Sequence, residues 1–199
     1  MISVNQFIPN KTNQEKVNDL NIGKPLPLGS SITSKGVNFS MIASNAKYIE
    51  ILLFETEDAI SPKTIFKLDQ NHQTGPYWHA EINNLEEGSI YAFRINQKDN
   101  GKNNNYPKKV LIDPCSRGIT GWGQYKRKNA LNKNENTASC LKSIVCDRKF
   151  FNFKDFPRPK HSWEETIIYE LHIKAFTQSS NEKESCFKKI LKKIPYLKE

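Results

Sequence analysis

The sequence predicts a mainly β protein: an immunoglobulin-like β-sandwich, then an irregular linker, then an incomplete start of a (β/α)8 barrel. Three observations carry this expectation. Short apolar–polar alternations recur between residues 36 and 95, separated by turn clusters and by no helical pattern. Residues 115–143 lose that periodicity and are rich in Asn, Lys, Gly and Ser. Residues 166–173 then read as a strand with apolar groups on both faces, as a buried parallel strand requires.

Residues 1–22 are polar, without sustained periodicity, and read as a flexible N-terminal tail. In Gly23-Lys24-Pro25-Leu26-Pro27-Leu28-Gly29 two prolines deny a helix its donors, so an extended lead-in is expected. Val37, Phe39 and Met41 alternate with Asn38 and Ser40, a half-buried strand after the Lys35-Gly36 turn. Residues 49–54 form a nearly continuous apolar run, the mark of a more central strand. Residues 64–68 and 77–82 supply two more strands, and 83–88 a turn. In 90–95, Tyr91, Phe93 and Ile95 share a face opposite Ala92 and Arg94. Strands at this spacing argue for an antiparallel sandwich over 23–113, followed by a linker over 114–165. A connection of that length is uncommon unless it is functional or packs on another domain. A further short strand is expected within 142–150.

In the last segment Phe187, Ile190, Leu191, Ile194 and Leu197 recur at helical spacing, with lysines facing away and Pro195 interrupting. Strand then helix over 166–199 is one βα unit of a barrel. A parallel strand needs parallel neighbours, and the 22 residues after Thr177 hold at most one helix. The chain therefore reads as one domain plus the opening of a second.

Composition bounds the functional classes. With 37% hydrophobic residues in 199, one core of about 100 residues is expected, and the 11% aromatics help to fill it. The net charge of +9 raises nucleic acid as a partner. However, the lysines are dispersed and no recognition-helix, ribonucleoprotein or zinc-finger signature accompanies them, so solvated lysine is the expectation. Cys115, Cys140, Cys146 and Cys186 fit no CxxC or zinc spacing, and His72, His79, His161 and His172 show none either. No metal or cofactor is expected. The N-terminus has no apolar signal core, and no stretch approaches the ~18–20 apolar residues of a membrane span. A cytoplasmic protein with reduced thiols and no membrane partner is the expectation.

Several short motifs follow one another along the chain. Gly23-Lys24-Pro25-Leu26-Pro27-Leu28-Gly29-Ser30 reads as "G-x-P-x-P-L-G-A", and Gly36-Val37-Asn38-Phe39-Ser40 as "G-V/T-N-F-S". Asn45-Ala46, Trp78-His79 and Gly88-x-x-Tyr91-x-x-Arg94 come next, then Lys109-Val110-Leu111-Ile112-Asp113-Pro114 and Phe151-Asn152-Phe153-Lys154-Asp155. The series closes with Thr166-Ile167-Ile168-Tyr169-Glu170-Leu171-His172 and Lys193-Ile194-Pro195-Tyr196-Leu197-Lys198-Glu199. In this order they resemble the isoamylase-type glycogen debranching enzymes of the α-amylase superfamily, over about residues 23–199. Two departures stand out. Cys115 replaces the family's aromatic after Asp-Pro, and residues 181–189 lack its "G-T-Y/F-x-G" step.

The resemblance implies an N-terminal carbohydrate-binding sandwich and the first strand and helix of the catalytic barrel. It implies hydrolysis of α-1,6 links in glycogen by an Asp nucleophile, a Glu acid and a supporting Asp from later barrel strands. None of those motifs is in this sequence, so no catalytic residue is carried over. Retaining hydrolysis needs two carboxyl groups about 5–5.5 Å apart. Glu170 sits mid-strand, whereas barrel catalysts sit at the C-terminal strand ends, so packing is its expected role. The same holds for His172. Sugar binding asks only for an exposed aromatic face and a few polar groups. Trp78, Trp122 and Tyr125 are the candidates, with Trp78 readable equally as sandwich core. An α-glucan is the expected partner, and in this family the sandwich often braces the catalytic domain. Two alternatives stand beside this reading: a basic β-rich nucleic-acid-binding protein, and a module completing a split enzyme with a separate C-terminal catalytic chain.

Overall fold

The alternating segments pair into two antiparallel sheets in a computed structural model, which describes residues 19–97, 108–147, 160–178 and 185–198. The first sheet contains β1 (Leu20–Asn21), β2 (Gly29–Ile32), β3 (Gly36–Ile42), β6 (Gln73–Thr74) and β7 (Tyr77–Asn83). Its order is β1-β7-β3-β2, with β6 folded back on β7. The second contains β4 (Ala46–Phe54), β5 (Thr64–Leu68), β8 (Ile90–Gln97), β9 (Val110–Leu111), β10 (Gly118–Thr120) and β11 (Lys142–Ile144). Here the order is β10-β11-β8-β4-β5, and β9 also pairs with β8.

Register keeps the apolar residues on one face. Val37 lies opposite Ile82, Phe39 opposite Ala80, and Met41 opposite Trp78. Because the side-chain period is two, a slip of one residue would turn the three of the slipped strand outward. The interior is filled by these residues with Ile49, Ile51 and Leu53 of β4 and Tyr91 and Phe93 of β8. Phe39 and Phe93 stand edge-on to the Tyr91 ring at 4.8 and 5.7 Å, a geometry favoured by the aromatic quadrupole. Strands expected at 37–41, 49–54, 64–68, 77–82 and 90–95 are all present.

Four expectations are corrected. The first concerns the outer face of β3, where Asn38 and Ser40 are buried rather than solvated. The lead-in crosses this face: Asn38 Oδ1 accepts from Lys24 N at 2.7 Å, Asn38 Nδ2 donates to the Lys24 carbonyl at 3.0 Å, and Ser40 Oγ donates to the Pro25 carbonyl at 2.6 Å. Only glycine fits where this segment meets the sheet. A Cβ on Gly23 would lie 2.2 Å from Asn38 Oδ1 and 2.6 Å from the Ala80 carbonyl carbon. The second concerns the tail. Residues 20 and 21 pair with Ile82 and Glu81 of β7, while 1–18 lie outside the described residues.

The third concerns the linker. Residues 118–120 and 142–144 extend the second sheet, and α1 (Arg127–Leu131) lies between them in sequence. Cys140 and Val110 join Leu52, Phe54 and Ala92 in a second apolar cluster on the other face of β4 and β8. Both faces of these strands are thus covered, which is why the 49–54 run is so nearly unbroken. The first compact unit accordingly extends to Phe151, not to 113.

The fourth concerns 166–172, which forms no strand. Ile167 is 95% and Ile168 75% exposed. A strand needs a ladder partner for its N–H and C=O groups, and among the described residues 152–199 supply none. This second unit holds α2 (Ile173–Phe176), α3 (Cys186–Leu191) and α4 (Ile194–Lys198). The expected single helix is divided before Pro195, which has no N–H for the Leu191 carbonyl and is tolerated in the first turn of α4. The 151–155 motif, the remainder of the expected 142–150 strand at 148–150, and 181–184 lie outside the described residues.

His79 sits on the outer face of β7 beside the lead-in, 3% exposed, its Nε2 2.9 Å from Thr74 Oγ1. Burial holds its pKa below the ordinary 6.5; the nearby Gly23 backbone opposes this, although Nδ1 makes no hydrogen bond of ordinary geometry. The folded chain therefore resists a proton that the unfolded chain accepts. The resulting stability is complete above the unfolded pKa and is lost as pH falls through the folded one. The melting temperature should drop between pH 7.5 and pH 5, and the drop should shrink in His79→Gln, read by calorimetry on both proteins.

Candidate functional site

One stretch, residues 109–113, docks the second half of the sandwich. Val110 leaves its N–H and C=O pointing away from β8, and the Asn136 side chain takes both. Oδ1 accepts from Val110 N at 2.8 Å, and Nδ2 donates to the Val110 carbonyl at 3.1 Å. One amide thus replaces a strand neighbour. Lys109 is 8% exposed, and its ammonium donates to the Asn134 carbonyl at 2.8 Å and to the Asn129 carbonyl in α1. A cation there satisfies carbonyls that a helix end leaves open.

Asp113, 2% exposed, closes the dock. Its Oδ2 accepts from the Tyr91 hydroxyl at 2.6 Å, its Oδ1 from Cys115 N at 2.8 Å, and its own N–H donates to Ser143 Oγ at 2.9 Å. Burial pushes the carboxyl above the usual carboxylate range, against the pull of these two bonds. Burial and the Asp113 charge likewise push the Tyr91 phenol up.

The loop after β10 carries two aromatic candidates, Trp122 and Tyr125. Gly121 has φ +88°, the left-handed region that favours glycine, and delivers Trp122 to the surface at 65% exposure. Tyr125 is half-buried and stands edge-on to the indole, with centroids 5.9 Å apart and planes at 78°. Beyond Tyr125 lies a groove of about 180 Å³, lined mainly by Val110, Leu111, Ile112, Ala130, Cys140 and Leu141. Lys109 and Asn136 reach its edge, already engaged by their internal bonds.

Of the three aromatic candidates, the structure brings Trp122 and Tyr125 together and removes Trp78. The Trp78 indole is 1% exposed in the core and donates from Nε1 to the Ala43 carbonyl at 3.0 Å. No sugar reaches it. Its period-two partners Ala80 and Ile82 already carried that signal. Glu170 is exposed in a stretch without regular structure, and His172 is exposed too. His172 Nδ1 accepts from Ala175 N at 3.2 Å and caps α2, rather than packing in a core. Sequence reasoning marked 109–114 as a motif without finding the roles of Lys109 and Asp113. It missed Asn136 and Lys142 altogether, since nothing adjacent in the chain announces them. Among the described residues no group of three or more His, Cys, Asp or Glu is placed to hold a metal ion. No helix among them is long and apolar enough to cross a membrane.

Two antiparallel sheets packed around one apolar core define a β-sandwich module. Residues 27–116 match the family model of carbohydrate-binding module 48, the isoamylase N-terminal domain. The chain is similar to the N-terminal part of glycogen debranching enzymes. Against that of Pectobacterium carotovorum subsp. carotovorum (strain PC1) it is 28% identical over 171 residues, 80% of this chain and 24% of the relative. Against that of Erwinia tasmaniensis it is 30% identical over 167 residues, 78% and 24% respectively. The chain spans about a quarter of the length of these curated relatives. Among solved structures, the product complex of the multi-modular glycogen-degrading pneumococcal virulence factor SpuA matches with a TM-score of 0.65. Identity is 17%, over 89% of this chain and 19% of that one, a likeness of fold alone.

Proposed function

We propose that this chain is the N-terminal portion of a cytoplasmic, isoamylase-type debranching glycoside hydrolase, and that this portion binds α-glucan without cleaving it. The observation that carries the binding is the exposed Trp122 indole, with Tyr125 edge-on beside it. An indole face in water offers apolar area to the C–H face of a glucose ring, and the sugar hydroxyls stay solvated. The two rings stand at 78° and make a corner, which suits a curved α-linked chain better than a flat β-linked ribbon. The matched family and the debranching relatives support the same substrate class. No catalytic role is assigned to any residue here, because the family's acidic motifs are absent from the sequence.

Affinity electrophoresis through glycogen tests the reading. The folded chain should be retarded by glycogen and not by a soluble β-linked glucan. Trp122→Ala should lose at least about tenfold in affinity, the size of one buried aromatic contact of about 1.4 kcal/mol. Equal migration of the wild-type chain with and without glycogen would remove the proposal.

A further inference from the structure

Lys142 opens β11 and is 1% exposed, an unusual place for a cation. Its ammonium donates to the Glu57 carbonyl at 2.8 Å and sits 4.9 Å from the centroid of the Phe54 ring. A carbonyl and a ring face offset part of the desolvation cost, but a methionine of similar length would fill the space without incurring it. Thus the charge itself calls for an explanation.

Its surroundings supply one. A Cβ built on Gly121 would lie 3.7 Å from Lys142 Nζ, 3.5 Å from the Glu57 carbonyl oxygen and 3.1 Å from the Cys140 carbonyl oxygen. Gly121 thus threads directly over the ammonium and its acceptor. One residue earlier, Thr120 Oγ1 donates to the Glu57 carboxylate. One residue later comes Trp122. The 55–58 turn is tied to β11 by the Lys142 bond and to the end of β10, next to Gly121, by the Thr120 bond.

The geometry points to Lys142 as the positioning residue for Trp122. It holds the Glu57 carbonyl directly beneath Gly121, so that the backbone packed above them presents the next residue's indole in its binding orientation before any ligand arrives. The inference rests on the proposed glucan site for its purpose, though not for its geometry. A ring already ordered loses less freedom on binding, so the clamp acts through preorganisation rather than contact. Lys109 holds the far side of the same segment at α1, by carbonyls at Asn129 and Asn134.

The test uses the full chain carrying Trp163→Phe. Trp163 is 83% exposed and Trp78 is buried, so mobile or quenchable indole signal then reports Trp122. Time-resolved fluorescence anisotropy without sugar should show only slow tumbling for wild-type Lys142, and a fast local component in Lys142→Met. The glycogen dissociation constant should rise about fivefold in the same variant at a temperature where it is fully folded. A purely structural lysine would lower the melting temperature and leave both readings unchanged, which overturns the inference. Should Lys142→Met not fold, the wild-type anisotropy decides: a fast Trp122 component there shows that nothing clamps the ring. Absence of glycogen binding in wild type, with the anisotropy change present, sinks the glucan reading and leaves the clamp standing.

Discussion

A chain ended at residue 113 should fail to fold cooperatively, whereas one ended at residue 151 should melt in a single transition. The cut at 113 removes β11, which pairs Ser143 with Tyr91 and Ile144 with Ile90, together with Val145, fully buried in the main core. It also removes Asn136 from Val110 and Ser143 from Asp113, leaving buried polar groups without partners. With Cys140 gone, the outer face of Leu52, Phe54 and Ala92 is opened to water. Large apolar side chains lose roughly 1.5–3 kcal/mol each on exposure. Total stability of a domain this size is only about 5–15 kcal/mol. The losses together consume it. Circular dichroism melting of the two truncations reads the difference, and a sharp transition in the 113-residue chain would show that the later segment is not integral to the sandwich. The 151-residue chain should also be more soluble than the full one, because exposed Ile167, Ile168 and Tyr169 make a β-prone apolar window.

Replacing Asp113 by Ala should cost about 2–4 kcal/mol, since the Tyr91 hydroxyl and Cys115 N–H lose their buried acceptor. Urea denaturation measures it; an effect below about 0.5 kcal/mol, the range of ordinary surface changes, would mean that water replaces the carboxylate. Tyr91→Phe has a distinct signature. Burial raises the Asp113 pKa, and the Tyr91 bond lowers it, so removing the hydroxyl should raise it further. The folded chain holds this proton to higher pH than the unfolded chain does. Stability from this group is therefore complete below the unfolded value and lost as pH rises through the folded pKa. Carboxyl carbon NMR titration should place the Asp113 midpoint higher in Tyr91→Phe than in wild type. An unmoved midpoint would break the argument.

Asp113 and Trp78 show two different ways in which a residue discloses its role. Trp78 alternates with Ala80 and Ile82, so its place in the core was available from period two. Asp113 belonged to a recognised motif, yet its acceptors and donors come from β8, from the turn at Cys115 and from β11. No spacing rule joins residues 91, 113 and 143. The irregular composition of 115–143 concealed structure for a similar reason. Its order comes from Asn and Lys side chains bonding to backbone, which leaves no apolar period to detect.

The opposite error occurred at 166–173, where local apolar character promised a strand that the described structure does not contain. Apolar side chains state a preference for burial, but a strand exists only when another backbone accepts its hydrogen bonds. Adjacent residues were enough to establish the five principal strands, their inward faces and the sandwich class, because side-chain direction along a strand is set by the neighbouring peptide units. The burial of Lys142 beneath Gly121, the capture of Val110 by Asn136 and the exposure of Trp122 were decided in three dimensions. Each depends on groups distant in the chain meeting within a few ångströms, and such distances are properties of the packed fold.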